Sequence, residues 1–294
     1  GGIPILMPLH QSLAANQIES IVGILNGTTN YILSQMTETG VNYANALADA
    51  QKQGFAEADP TNDVCGFDAA RKLAILSSIG FRANVTFDDV LVEGIEKIDK
   101  SDIQYAKDMG YTIKLLTVAL RQENGIALNV YPAFLPDNHP LSSVKGAYNA
   151  IYVTGNIVDD VMFYGRGAGA LPTASAVMGD VISTAQHILN GSTGTGMIMT
   201  DTKRIPFYSS LKLQNSYYFR LDVDDVTGVL SQIAAAFAEN DISICEVVQK
   251  RKTKGLAELV LITELASRES ILQVEKALQV LPCMRKVANV IRVM

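Results

Sequence analysis

Residues 57–79 read E-A-D-P-T-N-D-V-C-G-F-D-A-A-R-K-L-A-I-L-S-S-I, an acidic turn followed by a stretch that is apolar on nearly every helical face. The pattern predicts one helix from about 63 to 79, with aspartates capping its start. Asp68, Lys72, Ile75 and Ile79 share one stripe, while Ala69, Ala70, Leu73, Ala74 and Leu76 fill the others. A helix with so little polar surface has to be buried, so the chain must build a core around it. Asp68 and Lys72, four apart, then face each other inside that core. A surface pair of this kind would be worth only about 0.3–0.5 kcal/mol. A buried one is costly unless its charges are paired or used. A lysine near Glu57, Asp59, Asp63 and Asp68 can serve as a proton shuttle, since burial lowers its pKa and negative neighbours raise it again. The same carboxylates suit a substrate ammonium group. A divalent cation is the rival occupant, and Lys72 opposes it.

The 294 residues suffice for two compact units, and 48% hydrophobic with 18% charged residues suits globular domains with real cores. A net charge of −6 without a basic run disfavours nucleic acid and anionic membrane as partners, leaving small molecules. Cys65, Cys245 and Cys283 form no C-x-x-C pair, and His10, His139 and His187 are scattered, so neither a zinc site nor a catalytic triad is expected. No apolar run reaches membrane-spanning length and no signal peptide opens the sequence, giving a cytoplasmic expectation.

Along the chain, residues 18–36 mix β-branched residues with a Gly-Thr-Thr-Asn turn and then place Tyr31, Ile32, Leu33 and Met36 at helical spacing, a strand entering a helix. Residues 43–53 suit a helix closed by Gly54. Strands are expected at 114–120 and 127–131, joined at Glu123-Asn124-Gly125, where Asn-Gly is a hairpin signal. Further strands are expected at 150–153 and 161–164. Gly165-Arg166-Gly167-Ala168-Gly169 then leads into a helix at 173–189, and 203–214 reads as a linker. Residues 216–294 show strand, helix, strand, strand, helix, strand, a ferredoxin-like order. The expected fold class is α+β: a mixed sheet with helices on one face over 1–205, then the linker and a βαββαβ unit over 206–294.

Three segments carry a resemblance: G-I-L-N-G-T-T-N-Y-I-L at 23–33, G-F-A-E-A-D-P-T-N-D-V-C-G-F-D-A-A-R-K-L at 54–73, and Y-G-R-G-A-G-A-L-P-T-A-S-A-V at 164–177. Together they resemble homoserine dehydrogenase, with G-Y-T-I-K-L-L at 110–116 fitting the middle of its substrate domain and 216–294 resembling its ACT regulatory domain. The resemblance implies NAD(P)-dependent interconversion of aspartate semialdehyde and homoserine, on the route to threonine, methionine and isoleucine. It implies Lys72 as general acid/base, Glu57 and Asp68 as substrate carboxylates, Asp63 as their support, and Gly27 and Thr28 as a loop beside the substrate. Gly54, Gly167 and Gly169 resemble positions that approach the dinucleotide. Phe55 stands where tyrosine is usual.

The dinucleotide fingerprint G-x-G-x-x-G is not found in the sequence. Gly1-Gly2-Ile3-Pro4 resembles the middle of a loop whose backbone carbonyls, here those of Gly1 and Ile3, hold a monovalent cation. The expectation is a chain truncated at its N-terminal side, without the dinucleotide-binding domain and inactive alone, whose helix at 173–189 packs against that domain in the family. In D-D-V-T-G-V-L at 224–230, Asp225, Gly228 and Val229 resemble an ACT effector loop, with Asn240 as partner position, L-threonine as effector, and a homo-dimer or tetramer as assembly. Thr-Gly replaces the usual Pro-Gly, and Glu264 stands where histidine is common. The alternative is a stand-alone amino-acid-binding regulatory or oligomerisation module.

Overall fold

The structure is a computed structural model describing residues 1–192, 205–253 and 255–294. Its elements are β1 (Ile18–Ile24), α1 (Gly27–Thr39), α2 (Tyr43–Lys52), α3 (Thr61–Val64), α4 (Phe67–Gly80), β2 (Leu91–Val92), α5 (Lys100–Asp108), β3 (Tyr111–Gln122), β4 (Gly125–Pro136), β5 (Tyr148–Gly155), β6 (Asp159–Arg166) and α6 (Ala170–Leu189), then β7 (Gln214–Asp224), α7 (Val229–Ala238), β8 (Ile244–Thr253), β9 (Leu256–Thr263), β10 (Ala266–Ser267), α8 (Arg268–Gln279) and β11 (Met284–Val293). One mixed sheet runs β6-β5-β1-β3-β4-β11-β7-β9-β8, with β2 on β4 and β10 on β7. This is the α+β architecture expected, and the order β11-β7-β9-β8 is that of a ferredoxin-like unit. No helix among the described residues is long and apolar enough to cross a membrane.

Helices α1, α4 and α5 cover one face of the first half of the sheet, where Ile21, Ile32, Leu33, Met36, Leu73, Ile113 and Phe134 form the largest core. The opposite face packs Val22, Leu116, Tyr131 and Ala150 beneath Leu141 and Val144 of the loop after β4. In the second half, α7 and α8 cover the face that carries Tyr217, Phe219, Leu221 and Val223. The sheet continues through the expected boundary at 205/206, and Tyr218, Val260, Ile262 and Ile291 belong to the first core.

Three local expectations need correction. The helix at 63–79 is two helices, because Gly66 at φ 84° breaks it and heads α4 without a side-chain cap. A left-handed residue with no Cβ is cheap there, and the apolar pattern around it conceals the break. The hairpin turns on Glu123 and Asn124, with Gly125 already paired to Gln122. Gly125 is needed because a Cβ would meet the Pro206 carbonyl oxygen. Of the linker at 203–214, positions 203 and 204 lie outside the described residues; Phe207 then bridges Ile126, and β7 begins at Gln214.

The two halves meet at α5, which lies on the sheet face opposite α7 and α8. A capping box starts it: Asp99 accepts from Ser101 N, and Asp102 Oδ2 accepts from Asp99 N (3.0 Å). Asp102 is fully buried, yet Arg220 Nε (2.7 Å), Tyr218 Oη (3.1 Å) and Asn289 Nδ2 (2.7 Å) all donate to it from β7 and β11. Tyr105 Oη donates to Glu258 (2.8 Å), which also pairs with Arg220. Burial pushes the Tyr105 and Tyr218 phenols up, and their carboxylate partners push them further. Removing one partner of such a cluster leaves the others buried and unpaired. Asp102→Ala should therefore destabilise the chain by about 3–5 kcal/mol in denaturant unfolding, with Asp102→Asn costing less.

Candidate active site

The site forms where β1 delivers the chain into α1. Asn26, 4% exposed, sits at the N-cap, and its side-chain oxygen accepts from Thr29 N (2.8 Å). Its amide nitrogen then donates to Asp63 Oδ1 (2.7 Å) and Asp68 Oδ2 (2.9 Å). Lys72 Nζ donates to the same Asp68 oxygen (2.7 Å) and to Leu25 O (3.1 Å). One amide thus bridges two carboxylates contributed by α3 and α4, and the lysine closes the constellation one helical turn later. Of the residues singled out in the sequence, Asp63, Asp68 and Lys72 come together here.

Lys72 is less buried than its helix predicts: its side chain is 47% exposed and that of Asp68 is 32% exposed. Ala69, Ala70, Leu73 and Leu76 fill the core, while the Asp68–Lys72–Ile75 stripe turns outward. The stripe opens on a cleft of about 430 Å³ between the start of the chain, Lys72 and Ile75 of α4, and Ser175 and Gly179 of α6. An ammonium on such a wall stays hydrated until a ligand covers it.

Gly27 opens α1 against the Ala147 carbonyl, where a Cβ would come within 2.9 Å. Thr28 Oγ1 donates to Phe55 O (2.7 Å), tying α1 to the loop that carries Glu57. The Phe55 ring rests on Tyr31 at 4.6 Å. Glu57 is exposed and only its backbone carbonyl accepts a described bond, from Gln51, so its carboxylate is not held among the others. Asp59 accepts from Thr61 N and Oγ1, and the hydroxyl holds its carboxyl below the ordinary value. It closes a two-residue turn onto Thr61 ahead of α3 instead of joining the site. Cys65 lies beside Glu96, and burial with that carboxylate pushes its thiol up to about 11, so it is no nucleophile at neutral pH.

The glycines expected near a dinucleotide divide. Gly167 is pressed on Asn149, where a Cβ would come within 2.6 Å of Oδ1, and its carbonyl accepts from Gly2 N. Gly169, at φ 114°, turns the chain into α6, whose residues are exposed along their whole length except a few half-buried ones. Gly54 has φ 77° and open space where a Cβ would be, so its conformation explains it and a close approach does not. The cleft wall, with Gly167, Gly179 and the apolar Ile75 and Ile151, suits one side of a flat heteroaromatic cofactor. The Ile3 carbonyl accepts from Ile5 N, and with Gly1 it offers far fewer oxygens than the roughly six a hard cation takes. Those residues do not by themselves form a cation cage.

In the second unit Gly228, at φ 87°, heads α7 and places Val229 at the helix start, while Asp225 N donates to Gly255 O. Asn240 lies past the other end of α7, about 15 Å away along the axis, and donates to Ala236 O. Within one chain it does not share a pocket with Gly228. Asn26, Leu25 and Asn149 were not singled out in the sequence. An asparagine directly before Gly-Thr-Thr is an N-cap signal, hidden when those residues are read as a turn.

Behind the site, Lys114 is 2% exposed on β3 and donates to Asn30 Oδ1 (2.9 Å) and Val144 O (2.6 Å), bracing α1. Burial pushes its ammonium down to about 8, with Lys145 adding to the shift and Glu38 opposing it.

The homoserine dehydrogenase family profile matches residues 4–182 and the ACT domain profile residues 217–283. Homoserine dehydrogenase of Mycobacterium tuberculosis is 44% identical over 302 residues, covering 99% of this chain and 68% of that protein. The crystal structure of a homoserine dehydrogenase from Thiobacillus denitrificans superposes with TM-score 0.94 at 36% identity, covering 100% of this chain and 68% of that one. A hyperthermophilic archaeal homoserine dehydrogenase mutant in complex with NADPH superposes with TM-score 0.54 at 27% identity over 63% of this chain and 53% of that one. The chain spans about two thirds of the length of the curated relatives it matches.

Between pH of about 8 and 10.5 the unfolded chain keeps a proton on Lys114 that the folded chain has released. Stability from this group therefore rises with pH across that window and is lowest below it. Lys114→Met should remove that rise from a series of unfolding measurements between pH 7 and 10.5, whatever it does to stability at pH 7.

Proposed function

The chain belongs to the homoserine dehydrogenase family, and we propose that it is the substrate-binding and regulatory part of such an enzyme, interconverting aspartate semialdehyde and homoserine. The observation that carries this is the shared oxygen of Asp68, which accepts from both Asn26 and Lys72 and fixes the lysine at the cleft wall. A nicotinamide dinucleotide, NAD or NADP, would supply or accept the hydride when bound. Gly167, Gly179 and the apolar wall would hold its near side. In the reducing direction the Lys72 ammonium donates its proton to the aldehyde oxygen, and in the oxidising direction the amine takes the hydroxyl proton. The open face of Lys72 lets water restore its proton. Asp63 and Asp68 hold negative charge where a substrate ammonium can be oriented, and Glu57, on a loop tethered through Thr28, can swing to the same group. The archaeal homoserine dehydrogenase is in complex with NADPH, which favours the phosphorylated dinucleotide.

These 294 residues contain no G-x-G-x-x-G fingerprint, so on this reading they do not turn over unaided. The backbone N–H groups at the start of α7 suit the carboxylate of an amino-acid effector, L-threonine first among them. The assembly is a dimer or tetramer through the ACT unit, working in the cytoplasm on the route to threonine, methionine and isoleucine.

Mixed with a separately produced dinucleotide-binding domain, the chain should regain homoserine oxidation. Lys72→Ala should lower that rate by about 10²- to 10⁴-fold while still binding homoserine. No recovered activity with the unaltered chain, or full activity with the variant, would sink the proposal. Calorimetric titration with L-threonine, L-isoleucine and L-methionine should give heat for threonine alone. Equal heats for all three, or none, would remove threonine as the effector.

A further inference from the structure

Strand β11 enters the first half of the sheet through two parallel pairs on β4, Arg292 with Ala133 and Val293 with Phe134. Arg292 is buried, lies 4.2 Å over the Tyr131 ring, and donates from both terminal nitrogens to the two oxygens of Glu93 at 2.9 Å each. Glu93 follows β2, which pairs with β4, and its own N–H donates to Val130 O (2.8 Å). The next residue, Gly94, lies directly on α3: a Cβ there would meet the Val64 carbonyl and come within 2.7 Å of Cys65 Cα. Ile95 N then donates to Val64 O (2.9 Å). The side chains of Val92 and Val130 lie beneath Gly66, the residue at which α3 turns into α4. Residues 91–95 are thus the seat of the corner that carries Asp63 on one side and Asp68 on the other. The bidentate pair fastens that seat to the regulatory unit.

We propose that Arg292 and Glu93 are positioning residues through which the ACT unit sets the spacing of Asp63, Asp68 and Lys72. The inference rests on the reading that this site takes an amino-acid substrate. The contact of Gly94 with α3 is backbone on backbone, so a displacement of Glu93 has no flexible side chain to absorb it and must move Val64 and the Asp63 beside it. The Asp102 cluster, by contrast, joins α5 to the ACT sheet and, among the described residues, reaches no nearer to α3 and α4 than the Lys97 carbonyl, which accepts from Asn289, and the Lys250–Asp108 pair at the same junction is half exposed. A ligand that shifts β11 relative to β4 would therefore reach the substrate carboxylates through Arg292 and Glu93.

The test uses the whole chain with L-homoserine as probe, measuring affinity by calorimetry and protection of single amides by hydrogen exchange. Glu93→Gln and Arg292→Lys keep the size of each side chain while spoiling the paired, planar contact. Both should weaken homoserine between about 2- and 30-fold and speed exchange at the Ile95 amide, with protection in β7 and β9 retained. Lys250→Ala should change neither. Unchanged homoserine affinity in both variants would overturn the proposal, as would loss of protection across β7 and β9, which would make the pair a simple fastening of the two units. If the unaltered chain binds no homoserine, the substrate reading fails instead, and the exchange at Ile95 alone decides whether the pair holds the seat.

Discussion

A carboxyl group sealed from water is tolerated only where partners replace its hydration, and Asp102 meets that demand with groups from three elements. It accepts the backbone of its own helix start, the guanidinium and phenol of β7, and the amide of β11. Arg220 is shared with the buried Glu258, which in turn accepts from Tyr105 of α5, so the ACT sheet is tied to α5 through two carboxylates. Once α5 is placed, β11 comes alongside β4 and the two halves share one sheet and one core. Tyr218 stacking on Phe134 at 4.4 Å then adds apolar area to a joint whose orientation was set by charge.

The candidate site follows the opposite logic. Asp68 and Lys72 lie on the same helix as a fully buried leucine, yet they are left on the open side, where the cleft gives water or a ligand access to the lysine. The ordering is supplied from behind, by the Asn26 amide and the Leu25 carbonyl, both fixed by the end of β1 and the cap of α1. Lys114 braces that helix from the far side of the sheet, a charge used for construction where Lys72 is a charge available for chemistry.

Element types were legible in the sequence wherever one period governed a segment. The βαββαβ order of residues 216–294, the strand leading into α1, and the helix after the glycine run all stand where alternation and helical spacing put them. Of the acidic junction, the meeting of Asp63, Asp68 and Lys72 was legible, and the Asn26 amide that joins them was not. The break at Gly66 was not, because alanines and leucines continue the apolar pattern through it and only the glycine's conformation marks the stop. Nor was the exposure of Lys72, which depends on the neighbours of one helical stripe and not on the composition of the helix. Asn26 was hidden by its own neighbours, and Asn240 shows that two positions recognisable in one motif can end at opposite ends of a helix. Long-range partners such as Glu93 and Arg292 leave no trace in local spacing at all.

The joint between the halves is built almost wholly from residues remote in sequence: Arg292 and Glu93 are 199 positions apart, Asn289 and Asp102 are 187, and Arg220 and Asp102 are 118. The hairpins β3–β4 and β5–β6, by contrast, close over turns of a few residues. Local pairings repay their loop-closure entropy at once, whereas these distant ones become favourable only after both partners are already ordered. Contact order thus puts the hairpins ahead of the joint in folding, and hydrogen exchange should find the joint opening before either half. With the halves apart, β2 still covers 129–130 of β4, but 133–134 of β4 and 292–293 of β11 lose their pairing with each other, and such short bare stretches of edge are where two half-folded copies would join wrongly.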